Sequence, residues 1–193
     1  MKLAPRPLIR AAAPAAAAGL VLTAFTLPAV ALDPPGSTVT RSGGTVQLVA
    51  RSGVANVVHV GGQTLADGVH AIVEDESGIA AFNGCRPLDA TTADCGVGIT
   101  QLQIALGDNS DTLFIDQRAD QNNPASAPLL YNASVDAGTG PDTIATGRGN
   151  DQINLRDGVN GNDRVTCDGG TQDRAIGNPG DSIDPSCEFR VTF

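Results

Sequence analysis

Lysine is missing from the chain after Lys2, and aromatic residues make up only 3% of its 193 residues. Arginine is therefore the only strong cation left to oppose 18 Asp and three Glu, and the formal charge is −9. A surface of that sign repels nucleic acid and anionic membranes and favours cations. With so few aromatics, the core has to be built from Val, Ile, Leu and Ala, and platforms for stacking sugars are scarce. A helical hydrophobic period is absent too, which excludes an α-helical framework. No GxSxG, HExxH or paired Cys and His supplies a nucleophile, and no CxxC spacing suggests a zinc site.

The first residues, MKLAPRPLIRAAAPAAAAGLVLTAFTLPAVALDPP, place Lys2, Arg6 and Arg10 ahead of an uncharged run that closes on Ala29-Val30-Ala31. This pattern predicts a secretory signal over residues 1–31, cleaved after Ala31. Its apolar part after Pro14 is about a dozen residues, short of the ~20 of a membrane span. The expected product is extracellular, is not inserted in a membrane, and carries nine arginines against 21 acidic residues, a charge of −12. In an oxidising compartment its four cysteines read as two disulfides. Three pairings are open. Local pairing, Cys85 with Cys95 and Cys167 with Cys187, is the expectation, each bond contributing roughly 3 kcal/mol.

What the chain does contain is short β-type segments. STVTRS, TVQLVA, NVVHV, HAIVED, TQLQIAL, TLFID and YNASVD are rich in Val, Ile and Thr and are divided by GG, DG or GD pairs. The excess of Asp over Glu agrees with turns, where Asp bonds its own backbone. The pattern predicts an all-β protein, with an N-terminal region of short strands over 32–98 and a repetitive region over 99–193. One polar insert, Gln117 to Pro128, reads as a surface loop.

Within the second region the chain repeats. AGTGPDTIA (Ala137 to Ala145) and TGRGNDQIN (Thr146 to Asn154) are consecutive nonapeptides, GVNGNDRVT (Gly158 to Thr166) follows after LRD, and DGGTQDRAI (Asp168 to Ile176) is a fourth, degenerate unit. An earlier outlier is LGDNSDTLF, Leu106 to Phe114. Six residues turn and three extend, so Ile144, Ile153 and Val165 are expected to point inward, with equivalent aspartates one coil apart stacked at about the 4.8 Å strand spacing. Two carboxylates ~5 Å apart repel by roughly 3 kcal/mol at an effective dielectric near 20, a penalty that a counter-charge would remove.

These units resemble the G-G-x-G-x-D-x-U-x nonapeptide of the repeats-in-toxin family. NLRDGVNGNDRVTCDGGTQDRAIGNPGDSIDPSCE and the upstream GCRPLDATTADCGVGITQLQIALGDNSDTL are similar to secreted calcium-binding-repeat proteins of high-GC Gram-positive bacteria, over most of the mature chain. The resemblance implies a right-handed parallel β-roll, closed here by a disulfide-bonded C-terminal cap. It also implies calcium held in the turns, with the sixth-position aspartates Asp142, Asp151, Asp163 and Asp173 as ligands and Asp111 in the same column of the outlier. The chain departs from the pattern at Ala137 and Thr146, where the family has Gly, and at Thr171. Its same-side partners lie 21 and 22 residues apart, against about 18 for two nonapeptides.

The functional expectation is a secreted, non-catalytic calcium-binding protein. Two alternatives are a metal-free solenoid serving as a surface or adhesion module and a polysaccharide-active β-helix enzyme using clustered aspartates. His59 and His70, both in strand-like segments, are expected to be structural. Phe189, Val191 and Phe193 are expected to face inward on a closing strand, because a solenoid needs its end covered.

Overall fold

Val, Ile and Thr favour extended backbone wherever a glycine or aspartate turn does not interrupt them. The computed structural model describes residues 34–115, 126–127 and 130–193, and those residues contain 17 strands and no helix. The expected signal and most of the polar insert lie outside the described residues. In chain order the strands are β1 (Ser37–Ser42), β2 (Thr45–Ala50), β3 (Val57–Leu65), β4 (Gly68–Asp75), β5 (Ile79–Phe82), β6 (Arg86–Pro87), β7 (Thr92–Asp94), β8 (Gln101–Ala105) and β9 (Thr112–Ile115). They continue as β10 (Ser126–Ala127), β11 (Asn132–Asp136), β12 (Thr143–Ala145), β13 (Gln152–Asn154), β14 (Arg164–Thr166), β15 (Arg174–Gly177), β16 (Ser182–Ile183) and β17 (Phe189–Thr192).

They form two mixed sheets, neither closed into a barrel. The first runs β5-β1-β2-β8-β11-β13-β15-β17 and the second β6-β7-β4-β3-β9-β12-β14-β16, with β10 antiparallel on β3. The N-terminal hairpins, β1 with β2 and β3 with β4, are antiparallel. From β11 onward, successive strands alternate between the sheets, and within each sheet every added strand is parallel to the one before. Parallel stacking already begins at the hairpins, because β2 pairs with β8 and β3 with β9. The two regions expected from the sequence thus share both sheets.

Register carries the repeat into the core. Val58, Leu113, Ile144 and Val165 occupy one inward row, and Leu48, Ile104, Val135, Ile153 and Ala175 another. All nine are buried in a single apolar cluster between the sheets. The turns between strands are close enough to exclude side chains. Gly140 has φ +123°, and a Cβ built there would lie 1.6 Å from the Asn109 carbonyl oxygen of the preceding coil.

Both disulfides are local, Cys85–Cys95 and Cys167–Cys187, as expected. The second ties the turn after β14 to the segment entering β17. Replacing Cys167 and Cys187 together by Ala is expected to cost about 3 kcal/mol, read as a lower denaturation midpoint with an unchanged slope.

The end of the stack differs from expectation. β17 does pair with β15, but Phe189 and Phe193 are 56% and 66% exposed and Val191 is half-buried. Register is the reason. Phe189 falls beside the outward Arg174, while Arg190 falls beside the inward Ala175. The last coil is closed by backbone pairing and the Cys167–Cys187 bond, and the Arg156 guanidinium sits 5.2 Å from the centre of the Phe193 ring.

Candidate functional site: two aspartate ladders

Six parallel strands of the repetitive region, β9, β12, β13, β14, β15 and β16, are entered through an aspartate, so parallel register stacks those aspartates along the edge where turns become strands. One ladder holds Asp111, Asp142 and Asp163, ahead of β9, β12 and β14, and the other holds Asp151 and Asp173, ahead of β13 and β15. All five side chains are buried. The structure therefore brings together the residues read from the sequence, but in two separate sets.

Within a ladder the carboxylates are linked through the backbone. The Asp111 amide donates to Asp142 Oδ1 at 2.8 Å, and the Asp142 amide to Asp163 Oδ1 at 2.9 Å. On the other edge Ala133 donates to Asp151 Oδ1 and Asp151 to Asp173 Oδ1, both at 2.7 Å. Each aspartate thus ties its own coil to the preceding one, while its carbonyl accepts the next coil's strand amide, as Asp142 O does from Arg164 N at 2.8 Å.

Sequence reading missed the ladder ends. The first begins at Asn56, whose amide donates to Asp111 Oδ1 at 2.7 Å and whose Nδ2 bonds the buried Asp75 at 2.7 Å. It ends at the half-buried Asp181, which accepts from Asp163 N at 3.4 Å. The second ends at the exposed Glu188, which accepts from Asp173 N at 2.8 Å. A signal for Asp181 was present in Gly180-Asp181-Ser182-Ile183, the usual turn spelling with an apolar residue two places on. Asn56 and Glu188 break the aspartate rule, and only register identifies them.

One amide does not satisfy a buried carboxylate, which has two oxygens and about four lone pairs. Oδ2 of Asp111 and of Asp142 is buried without a hydrogen-bond partner. Burial pushes the carboxyls up, to about 7 at Asp142 and about 6 at Asp111 and Asp163, and the amide bonds offset this only in part. Asp151 is likewise pushed by burial to about 6 against hydrogen bonds from Ala133 and Thr146, and Asp173 is raised by burial and by Glu188. Charge repulsion between neighbours, the cost expected from the stacking, is the smaller cause. Burial prevails because each carboxylate leaves water altogether. Among the described residues, no group of three or more His, Cys, Asp or Glu side chains is gathered as a metal cluster.

A second polar cluster joins β4 to β7. His70 Nδ1 lies 2.9 Å from Asp94 Oδ1 and Nε2 lies 2.8 Å from Asp67 Oδ1, while Arg86 bonds Asp94 Oδ2 at 3.0 Å. A neutral imidazole has one N–H and would turn a lone pair on one carboxylate, whereas the cation donates to both. The bond to Asp94, then that to Asp67, raises the His70 pKa above 6.5. Its stabilisation is accordingly complete below pH 6.5 and lost as pH rises through the raised value. The melting temperature of wild type relative to His70→Gln is expected to be highest near pH 6 and to shrink by pH 8.5. A constant difference would exclude the charged pair.

No family model, no curated protein and no solved structure matches this chain. Its functional class rests on the ladders. Among the described residues no helix is long and apolar enough to cross a membrane.

Proposed function

We propose that the protein is a secreted, non-catalytic calcium-binding protein whose parallel stacks form a right-handed β-roll of the repeats-in-toxin type. The observation that carries this reading is the pair of buried, unpartnered oxygens, Asp111 Oδ2 and Asp142 Oδ2, in a ladder of carboxylates that burial has made costly to ionise. Calcium accepts carboxylate and turn-carbonyl oxygens in flexible arrangements and supplies the missing positive charge. The residues that would hold it are Asp111, Asp142 and Asp163 on one edge and Asp151 and Asp173 on the other. Two disulfides fit export to an oxidising space.

The metal-free module has an observation in its favour as well, since each ladder aspartate accepts a backbone amide and a proton could neutralise it in place of a cation. Competition separates the two readings. If calcium and protons share the ladders, calcium affinity measured by isothermal titration should rise steeply between pH 5.5 and 7.5 and level off above the carboxyl pKa values. Absence of binding heat at pH 8 with millimolar calcium would leave the metal-free module.

A further inference from the structure

The outer face of the first sheet carries a row of exposed side chains apart from the ladders. Parallel register puts Gln47, Gln103, Ser134, Gln152, Arg174 and Phe189 in one row across β2, β8, β11, β13, β15 and β17. All six side chains are exposed. The face carries shallow, open depressions. A depression of about 480 Å³ centred on this row adjoins one of about 370 Å³ through Ser134 and Gln152, and another of about 480 Å³ through Gln152 and Arg174.

Its chemistry sets it apart from the rest of the molecule. Five of the six glutamines among the described residues, Gln47, Gln101, Gln103, Gln152 and Gln172, line these depressions. Among the described residues Asp136 is the only carboxylate lining them, in a chain with 21 acidic residues, and it accepts from Asn154 Nδ2 at 3.0 Å. An amide both donates and accepts, so a row of them complements hydroxyl groups, which do the same, without demanding charge on the ligand. Phe189 ends the row with an exposed apolar ring.

From these features we infer that the outer face of the first sheet binds an extended neutral polysaccharide, lying across the strands along the Gln47–Phe189 row. Five strand spacings give about 24 Å of contact, room for several sugar units. The amides of Gln103 and Gln152 bond ring hydroxyls, Arg174 donates to hydroxyl or ring oxygens, and Phe189 packs on a sugar face. An acidic polysaccharide would meet the negative field of the whole chain, which favours a neutral one.

Native affinity electrophoresis of the mature protein, in gels containing soluble mixed-linkage β-glucan, dextran or polygalacturonate with chelator throughout, tests the site apart from any calcium effect. Retardation by at least one of the two neutral polymers is expected, weakened about tenfold in Gln103→Ala/Gln152→Ala through loss of two hydrogen-bonding groups, weakened also in Phe189→Ala, and unchanged in Gln63→Ala on the other sheet. The strand-compatible pair Gln103→Val/Gln152→Val repeats the measurement should the alanine pair melt early. No retardation by either neutral polymer, equal retardation of wild type and the double variants, or retardation by polygalacturonate alone would each overturn the inference.

Discussion

In chelator, the protein is expected to melt several degrees lower at pH 8 than at pH 5, and millimolar calcium at pH 8 is expected to restore the difference. The ladder carboxyls have folded pKa values raised to about 6 or 7 at Asp111, Asp142, Asp151 and Asp163, against 3.8 for an aspartate in water. The folded state therefore binds protons that the unfolded chain releases, and its stability falls as pH rises through that window. A second set works in the opposite sense. Asp67, Asp89, Asp94, Asp108, Asp157 and Asp184 are held below the ordinary aspartate value, so their contribution is lost as pH falls below 3.8. Between the two, metal-free stability should peak at about pH 4, close to the ordinary aspartate value.

Calcium replaces the proton as the neutralising charge. A ligand that binds only the folded state stabilises it by about 1.4 kcal/mol at a tenfold excess over Kd, or roughly 3–6 °C for a domain of this size. Affinity in the 10⁻⁴–10⁻³ M range of extracellular modules is expected, with magnesium a poor substitute because it holds its water. Asp142→Asn gives the sharpest sign. It keeps an acceptor for the Asp111 amide and removes the buried charge, so at pH 8 it should raise the melting temperature in chelator and reduce the response to calcium. A variant that lowers stability in chelator and leaves the calcium shift intact would overturn the ladder as the binding site.

The second large effect is steric. In Gly140→Ala, the new methyl carbon would sit 1.6 Å from the Asn109 carbonyl oxygen, at a φ of +123° that side chains avoid. The obstacle is backbone of the preceding coil, which cannot rotate away. The coils must separate locally, at the junction where the Asp111 amide meets Asp142 Oδ1. A loss of about 3 kcal/mol or more is expected, together with faster amide exchange at Asp111 and Thr143. Gly158→Ala, where φ is +86° and nothing lies within 4 Å of the added carbon, carries the conformational strain alone and should cost less. Equal losses at the two positions would mean that contact between coils does not limit the turns.

Much of this architecture is local in origin and could be read from residue spacing. Glycine before aspartate, with an apolar residue two places later, sets a turn and a strand of three residues, and that suffices to place Ile144, Ile153 and Val165 inward. What spacing leaves open has a physical cause too. Spacing says which residues share a column, but the sign of a column's energetics depends on how far water is excluded from it. Stacked aspartates therefore suggest mutual repulsion, whereas their burial, which spacing does not reveal, raises their pKa values more. Phe189 and Val191 show the same limit, since period-two alternation gives two faces without saying which one points in. Register with β15, fixed by the coil before, put Arg190 on the inner row.

The sequence by itself determined the all-β class, the turn positions and the two sets of ladder aspartates, because each follows from the conformational preferences of residues a few positions apart, while the structure chose the local disulfides among three open pairings. Only the tertiary structure decided that Asn56, Asp181 and Glu188 terminate those ladders, that His70 lies between Asp67 and Asp94, and that five glutamines scattered from Gln47 to Gln172 converge on one face. Apart from His70 with Asp67, those contacts join residues from 15 to 55 positions apart, brought together by strand register rather than by local preference.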